Sequence, residues 1–424
     1  MTILRGKCWE CCCRCLRRCL PYFDRRLFFC LTALYAVTFV LVLPVLCWRL
    51  RHSAFELLHK DVEKEQALLQ RENTMRLNKS IAYLRSYNRR MPSTIHNLKN
   101  IPGNSKTSYD VSDGLYMAAT IITLSRARDV YKPMYFTQVV SEFFALIDDI
   151  LEKNKIALFV CNVDLQPENH NEMLYIPKWI KVFEKYANIS IKDPVYALSV
   201  IEKEKRDYVY CLEQTLRFNS TYVLLVEDDA VPRRELFPVL FNILKEHENA
   251  GIRNSRRQNV TFFKLYHPER LLGYISLEVE RIPELISMCV IVTSVFVMIY
   301  VNRIEKPISL SFLCISIMVY SCLVLLVIGR QNLIELRRMS KFLYQVTPAP
   351  SCCTPAMLYT NDGAKIVSNY LTGVNCYPKF GKDTAIDTLV KEKKLNAKLI
   401  QPNLFKHIGL VSAVRGEMID PYVV

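Results

Sequence analysis

The chain has 424 residues, of which 51% are hydrophobic and 23% charged, with a formal net charge of +15. That apolar content excludes a disordered chain, and 16 cysteines over this length are too sparse for a small disulfide-stapled module. The basic excess admits nucleic acid, a membrane surface or an anionic substrate, and the placement of the charges decides among them.

Residues 1–26 carry seven Lys or Arg, two acidic residues and six cysteines (Cys8, Cys11, Cys12, Cys13, Cys15 and Cys19). Cysteines beside basic residues and a membrane run are the arrangement of S-palmitoylation; unmodified thiols and a zinc site are the alternatives. Leu27 to Trp48 is 22 residues without a charge, enough to cross a hydrocarbon core of roughly 30 Å. The basic tail precedes it, so the positive-inside rule puts the N-terminus in the cytoplasm.

Residues 50–100 are polar, with Phe55, Leu57, Leu58, Val62, Ala67, Leu68 and Leu69 at helical spacing, and read as a helical stem. Residues 97–114 hold Pro, Gly, Ser and Asn and read as a linker. An alternating pattern follows. Ala118 to Leu124 reads as a strand, Gln138 to Leu151 as a helix, Ile156 to Cys161 as a strand, and Glu202 to Arg217 as a helix. Tyr222 to Val226 is a third strand, ending directly in Glu227-Asp228-Asp229. Such alternation predicts an α/β domain with a mostly parallel sheet, whose ligands bind beyond the carboxyl ends of the strands.

Three adjacent carboxylates at a strand end repel one another, and a hard divalent cation relieves that repulsion. Glu227, Asp228 and Asp229 are therefore the candidate ligands of Mn²⁺ or Mg²⁺, which would neutralise a nucleotide-sugar diphosphate. A solvated acidic turn is the alternative. Tyr266 to Arg270 is a further polar cluster.

Leu285 to Asn302 and Pro307 to Gly329 are uncharged and separated only by Arg303-Ile304-Glu305-Lys306. They read as a transmembrane hairpin, because soluble core helices rarely run so far without a charge. Beyond them lie Cys352 to Ala356, Phe380-Gly381-Lys382-Asp383 and Lys406-His407-Ile408-Gly409. Dinucleotide-binding, P-loop, zinc-protease and serine-hydrolase signatures are absent from the sequence.

The expected organisation is a cytoplasmic tail (1–26), a first membrane helix (27–48) and a lumenal stem and linker (49–114). A first catalytic part (115–284), a membrane helix (285–302), a cytoplasmic turn (303–306), a third membrane helix (307–329) and a second catalytic part (330–424) complete it. The sequons at Asn78, Asn188, Asn219 and Asn259 all fall in the expected lumenal segments, which supports a secretory-pathway lumen and leaves no place for nucleic acid. Five lumenal cysteines allow at most two internal bridges, and the residues alone leave their pairing open.

The stretches Glu202 to Glu213, Tyr222 to Pro232, Lys264 to Leu271, Cys352 to Leu358, Phe380 to Asp383 and Pro402 to Gly409 closely resemble the post-GPI-attachment to proteins factor 4 family. The resemblance runs in order from about residue 118 to 412 and leaves out the tail and stem. It implies a GT-A glycosyltransferase fold interrupted by the hairpin, three membrane helices in all, in the Golgi membrane. It implies UDP-GalNAc as donor and the first mannose of the glycosylphosphatidylinositol (GPI) on GPI-anchored proteins as acceptor, with inversion to a β linkage. Glu227-Asp228-Asp229 matches the family's DXD-like motif. Thr123 to Arg126 match a first-strand loop facing the donor, with Leu124, Ser125 and Arg126 as its donor-binding residues and Ser125 and Ala127 departing from the family pattern. Thr354, Pro355 and Ala356 shape the nucleotide-sugar pocket, and His407 closes its donor end. The tail Leu404 to Gly409 is also similar to that of the N-acetylglucosaminyltransferase IV group. Asp383 is the candidate general base, with Asp228 beside it in a catalytic role. The favoured bridges are Cys161–Cys211 and Cys352–Cys353, leaving Cys376 free. A Golgi transferase acting on N-glycans and a non-catalytic membrane receptor are the competing readings.

Overall fold

The computed structural model describes residues 25–48, 50–58, 62–90, 115–126, 132–150, 155–187, 198–253, 259–274, 281–303 and 310–410. The expected tail up to residue 24, the linker at 97–114, the 303–306 turn beyond Arg303, and the sequon at Asn188 lie outside the described residues. The chain divides into two units, residues 1–61 with 270–335, and residues 62–269 with 336–424.

The first unit holds three helices long and apolar enough to cross a membrane, Phe29–Cys47, Arg281–Arg303 and Leu310–Ile328. Their apolar side chains, Val40, Val45, Phe296 and Met298 among them, stand exposed, as lipid-facing residues do. Two tyrosines inside the unit find polar partners. Thr38 and Tyr320 share a 2.8 Å hydrogen bond, and the Tyr35 hydroxyl donates to the Ser316 carbonyl at 3.2 Å. The first span widens to a π-helix over Val37–Val42, where Pro44 has no N–H for the carbonyl four residues back. At one end of the unit, Arg330 bonds Glu284 at 2.8 Å and the Leu272 carbonyl at 3.0 Å. Gly329 sits there at φ +86°, where a Cβ would meet the His52 carbonyl oxygen at 2.7 Å.

The second unit is built on an eight-stranded sheet of order β3-β2-β1-β4-β8-β6-β9-β7. The strands are β1 Met117–Thr123, β2 Ile156–Asn162, β3 Val182–Glu184, β4 Tyr222–Glu227, β5 Ala230–Pro232, β6 Phe262–Lys264, β7 Gln345–Pro348, β8 Ala356–Thr360, β9 Ala397–Gln401 and β10 Phe405–His407. Strands β1 to β4 of this sheet run parallel, with Met117 opposite both Ile156 and Tyr222. Every residue of β1 is buried, as a largely apolar strand without charges allows when helices cover both faces. Strand β8 lies antiparallel between β4 and β6. The chain that follows the membrane hairpin thus enters the middle of the sheet begun before it.

Helices α1 (Val62–Arg90), α2 (Tyr135–Asp148) and α4 (Leu236–Arg253) pack with one face of this sheet. Helices α3 (Val200–Leu216), α5 (Asn361–Gly373) and α6 (Lys382–Glu392) pack with the other. Side chains of β4 alternate between the two cores, Leu224 and Val226 to the first, Val223 and Leu225 to the second. Helix α3 starts at the cap its sequence encodes, where Ser199 Oγ accepts the Glu202 amide at 3.2 Å. Thr360 caps α5 likewise through the Gly363 amide at 3.1 Å.

Helix α1 is the helical part of the expected stem, and it is not a free stalk. Leu84 and Tyr87 are buried in the first core, and Tyr87 stacks on Phe144 of α2 at 4.9 Å. Gln138 Nε2 donates to Asn73 Oδ1 at 2.8 Å, and Ser141 Oγ donates to Ser80 Oγ at 2.7 Å. Burying two such side chains contributes on the order of 3–6 kcal/mol, enough to dock a helix of otherwise polar composition. Cys161 of β2 and Cys211 of α3 are bridged, as are Cys352 and Cys353, and Cys376 is free and buried. The first bridge closes a loop of sequence separation 50, worth about 4 kcal/mol on the loop-entropy estimate.

Candidate active site

Strands β1 and β4 are neighbours and parallel, with Ile122 opposite Glu227, so their carboxyl ends open side by side. The first supplies Thr123 to Arg126, the second Glu227 to Asp229. Strand β5 follows at once and pairs antiparallel with β10, His407 opposite Ala230, which brings His407 against Asp229. The Glu227 amide donates to the Pro355 carbonyl at 2.8 Å, so the segment after the hairpin closes a third side.

Arg126 stands at the centre. Its two terminal nitrogens reach Asp228 Oδ1 and Asp229 Oδ2, each at 2.6 Å, and its guanidinium lies 5.7 Å from the Tyr135 ring centroid. Asp229 Oδ2 also lies 3.3 Å from His407 Nε2. Burial works to raise Asp229, but Arg126 and His407 outweigh it and hold this carboxyl well below the usual range. Among the described residues Asp228 has no second cation. Burial pushes it up to about 6 against Arg126 and the bonds from Leu124 and Thr123. Burial opposes charge on His407 as well, and Asp229 reverses this and raises the imidazole.

Asp228 is fixed from behind. Its Oδ2 accepts the Thr123 hydroxyl at 3.1 Å and the Leu124 amide at 3.3 Å. Thr123 gives its proton to Asp228, so at 2.9 Å it accepts from His170 Nε2. Burial lowers His170 to about 4, which leaves that imidazole neutral. The Ser125 amide is tied to Asp164 at 2.8 Å.

Glu227 points the other way. As the last residue of β4 it follows the strand's alternation toward the core of α3 and α6. There Lys382 Nζ lies 2.7 Å from Glu227 and 2.9 Å from Glu204, with its ammonium 4.7 Å from the Tyr208 ring centroid. Burial opposes the Lys382 charge, but Glu204, Glu227 and Asp383 outweigh it and raise this ammonium well above its usual value. Next to it, Asp383 accepts the Thr354 hydroxyl at 2.6 Å. The vicinal bridge is braced nearby, with Lys264 Nζ donating to the Cys352 carbonyl at 2.9 Å.

A family model described as GPI-N-acetylgalactosamine transferase PGAP4 matches residues 117–406, well over half of the chain. The chain belongs to this family. The match opens on the first residue of β1 and closes inside β10, so it takes in both sequence halves of the sheet and everything described at the site except His407. The family's printed name makes the chain a glycosyltransferase of the GPI class, and the mixed α/β unit with its central sheet is consistent with the expected GT-A-like fold.

The family's site residues expected from the sequence divide into two groups. Leu124, Arg126, Asp228, Asp229 and His407 are brought together at one side. Glu227 is held with Lys382, and Asp383 with Thr354, on the other. Ser125 turns its amide toward Asp164, and Pro355 meets the strand end through its backbone. Ala356 is a buried β8 residue paired with Val226. A single metal ion shared by Glu227, Asp228 and Asp229 does not fit this arrangement. Among the described residues no three His, Cys, Asp or Glu side chains converge as a metal site, because the strand alternation sends Glu227 to the opposite face. A smaller site does fit. Among the described residues, Asp229 Oδ1 is buried with no hydrogen-bond partner, an oxygen placed to receive a cation.

Sequence reasoning missed His170, Glu204 and Glu172. Glu172 accepts the Thr137 amide and hydroxyl at 2.8 and 2.9 Å at the start of α2. Nothing local distinguishes these residues from surface polar groups. At Gly409, just past His407, a Cβ would lie 2.4 Å from Asp229 Oδ2.

Proposed function

We propose that this membrane protein transfers N-acetylgalactosamine from UDP-GalNAc to the first mannose of the GPI on GPI-anchored proteins, with inversion to a β linkage. The observation that carries this reading is the Arg126–Asp228–Asp229–His407 cluster at the strand ends, whose Arg126, Asp228 and Asp229 lie inside the stretch matched by the family, with His407 one residue beyond it. The reading includes a Golgi location, and its orientation, N-terminus cytoplasmic and catalytic unit lumenal, is supported by the basic tail. The sequon residues Asn78, Asn219 and Asn259 add support, since all three are exposed.

The two sides of the cluster differ in charge. On one, Arg126 and His407 offset Asp229, and burial draws Asp228 toward its neutral form. With Arg126 holding both carboxylates, this side tolerates a diphosphate. Mn²⁺ or Mg²⁺, held by Asp229 with Asp228 beside it, would add Lewis-acid stabilisation of the departing diphosphate. On the other, Glu227, Glu204 and Asp383 surround the ammonium of Lys382. A net negative surround suits proton acceptance, and Asp383 is assigned as the base that takes the proton of the attacking mannose hydroxyl. Thr354 orients that carboxylate.

Titration of the solubilised full chain with several UDP-sugars, with and without Mn²⁺, tests the donor. UDP-GalNAc is expected to bind most tightly, and more tightly with Mn²⁺. Equal affinity for all UDP-sugars would remove the donor assignment, and indifference to Mn²⁺ would remove the metal. Transfer to soluble N-glycans in preference to GPI would remove the acceptor.

A further inference from the structure

We propose that the segment from Leu336 to Val346 is a membrane-interface loop, which seats apolar side chains in the leaflet where the third span ends. The segment sorts its residues in the wrong direction for water. Leu336 is 57% exposed, Met339 79%, Phe342 70% and Leu343 49%, and Val346 continues the exposed run onto the edge strand β7. Leu336–Met339 is a 3₁₀ turn with no buried residue, so its first and last side chains stand on one edge. A concentration of large apolar side chains like this marks a partner surface.

Two observations assign that partner as lipid. The first is chain continuity. The third span ends at Ile328, and Leu336 follows eight residues later. Eight residues reach at most about 29 Å when fully extended, and six of them, Arg330–Glu335, are helical at about 1.5 Å each. The patch is therefore tethered close to the point where the chain leaves the hydrocarbon. The second is charge. Arg337 and Lys341 interleave with the apolar residues, and Lys341 Nζ lies 5.2 Å from the Phe342 ring centroid. Cationic heads above apolar side chains are the composition of a segment lying among anionic headgroups.

The loop is clamped from behind, so its apolar side chains are presented by a fixed backbone. Arg338 bonds Glu235 and donates to the Asn403 carbonyl at 2.9 Å, and Tyr344 donates to Glu235 at 3.0 Å. Asn403 in turn accepts the His267 amide at 3.0 Å, two residues before β10 carries the chain to His407. Contact of this loop with a bilayer would thus fix the height of the cluster above the headgroups.

The test uses the full chain in nanodiscs of phosphatidylcholine containing phosphatidylserine. The photoreactive residue p-benzoylphenylalanine is placed at Met339, at Phe342 and, as a control, at Leu174, which is 83% exposed on the same unit. After irradiation, lipid adducts read by intact mass are expected at Met339 and Phe342, at least fivefold above Leu174. Adduct levels equal to those at Leu174, or crosslinks to a second protein chain in their place, would overturn the proposal. The measurement needs no activity, so it stands apart from the donor and acceptor assignments. Because Met339 and Phe342 are exposed, Met339→Ser and Phe342→Ser are expected to keep the native melting temperature.

Discussion

Arg126 and Asp229 meet at 2.6 Å although 103 positions separate them in the chain. The contact exists because β1 and β4 are adjacent and parallel, so the residues just past their ends share one site. Among the described residues Arg126 is the group that pairs with both Asp228 and Asp229. Its removal leaves two buried carboxylates, which costs on the order of 3–5 kcal/mol. Arg126→Ala is therefore expected to lower the melting temperature and to cut sugar transfer by about 100-fold or more. Arg126→Lys keeps the charge but cannot bridge two carboxylates. It should restore part of the melting temperature and little of the transfer rate. Wild-type turnover in Arg126→Lys would show that the bidentate geometry is irrelevant.

Lys382 and Glu227 allow a separate test of how the acidic triplet is divided. Lys382→Met leaves Glu227 and Glu204 facing each other without their cation. A loss of about 3–5 kcal/mol is expected in chemical denaturation. Adding Glu227→Gln should recover a measurable part of it, because the pair is coupled. Glu227→Gln alone is expected to leave Mn²⁺ binding unchanged, while Asp229→Asn abolishes it. Equal loss of Mn²⁺ binding in the two single variants would return Glu227 to the metal.

Much of this architecture is legible in the sequence. The five apolar residues of Tyr222 to Val226 are too short for a helix and end in acids, which places a strand end and a site together. The same strand period sends Glu227 and Asp228 to opposite faces, but this follows only once Glu227 is known to belong to β4. The ion pairs of Arg126 are not legible, because no local pattern records which distant strand lies alongside. Helix α1 is similar. Its apolar spacing reveals a helix, whereas its partner, Phe144, appears only in the fold.

Glu172 gives the unit a pH dependence. Burial raises its carboxyl from 4.5 to about 7, against the bonds from Thr137 and the pull of Arg126. A raised folded-state value means the protonated form is favoured by folding. Its contribution is full below about pH 4.5 and is lost as pH rises through about 7, with a total of about 3 kcal/mol. Glu172→Gln keeps an oxygen for Thr137 and cannot ionise. The wild type is expected to lose stability across this window, and the variant to be flatter by that amount and more stable above it. Parallel pH profiles in urea unfolding would remove Glu172 as the cause.

Gly409 tests the rigidity of the cluster. A Cβ there would meet Asp229 Oδ2 at 2.4 Å, Cγ at 3.1 Å and Cβ at 3.2 Å. A free aspartate would swing aside at little cost. This one is held by Arg126 and His407, and its own carbonyl accepts the Ile408 amide at 2.8 Å. Gly409→Ala must therefore displace either Asp229 or the chain after β10. The expected cost is about 1–3 kcal/mol in stability. A shift on the order of 1 Å at a catalytic group reduces rate by about 100-fold. The rate loss should thus exceed what the stability loss alone produces, at temperatures where the variant is fully folded. Full transfer by folded Gly409→Ala would mean that Asp229 tolerates displacement and that the close packing of Gly409 has no role in positioning it.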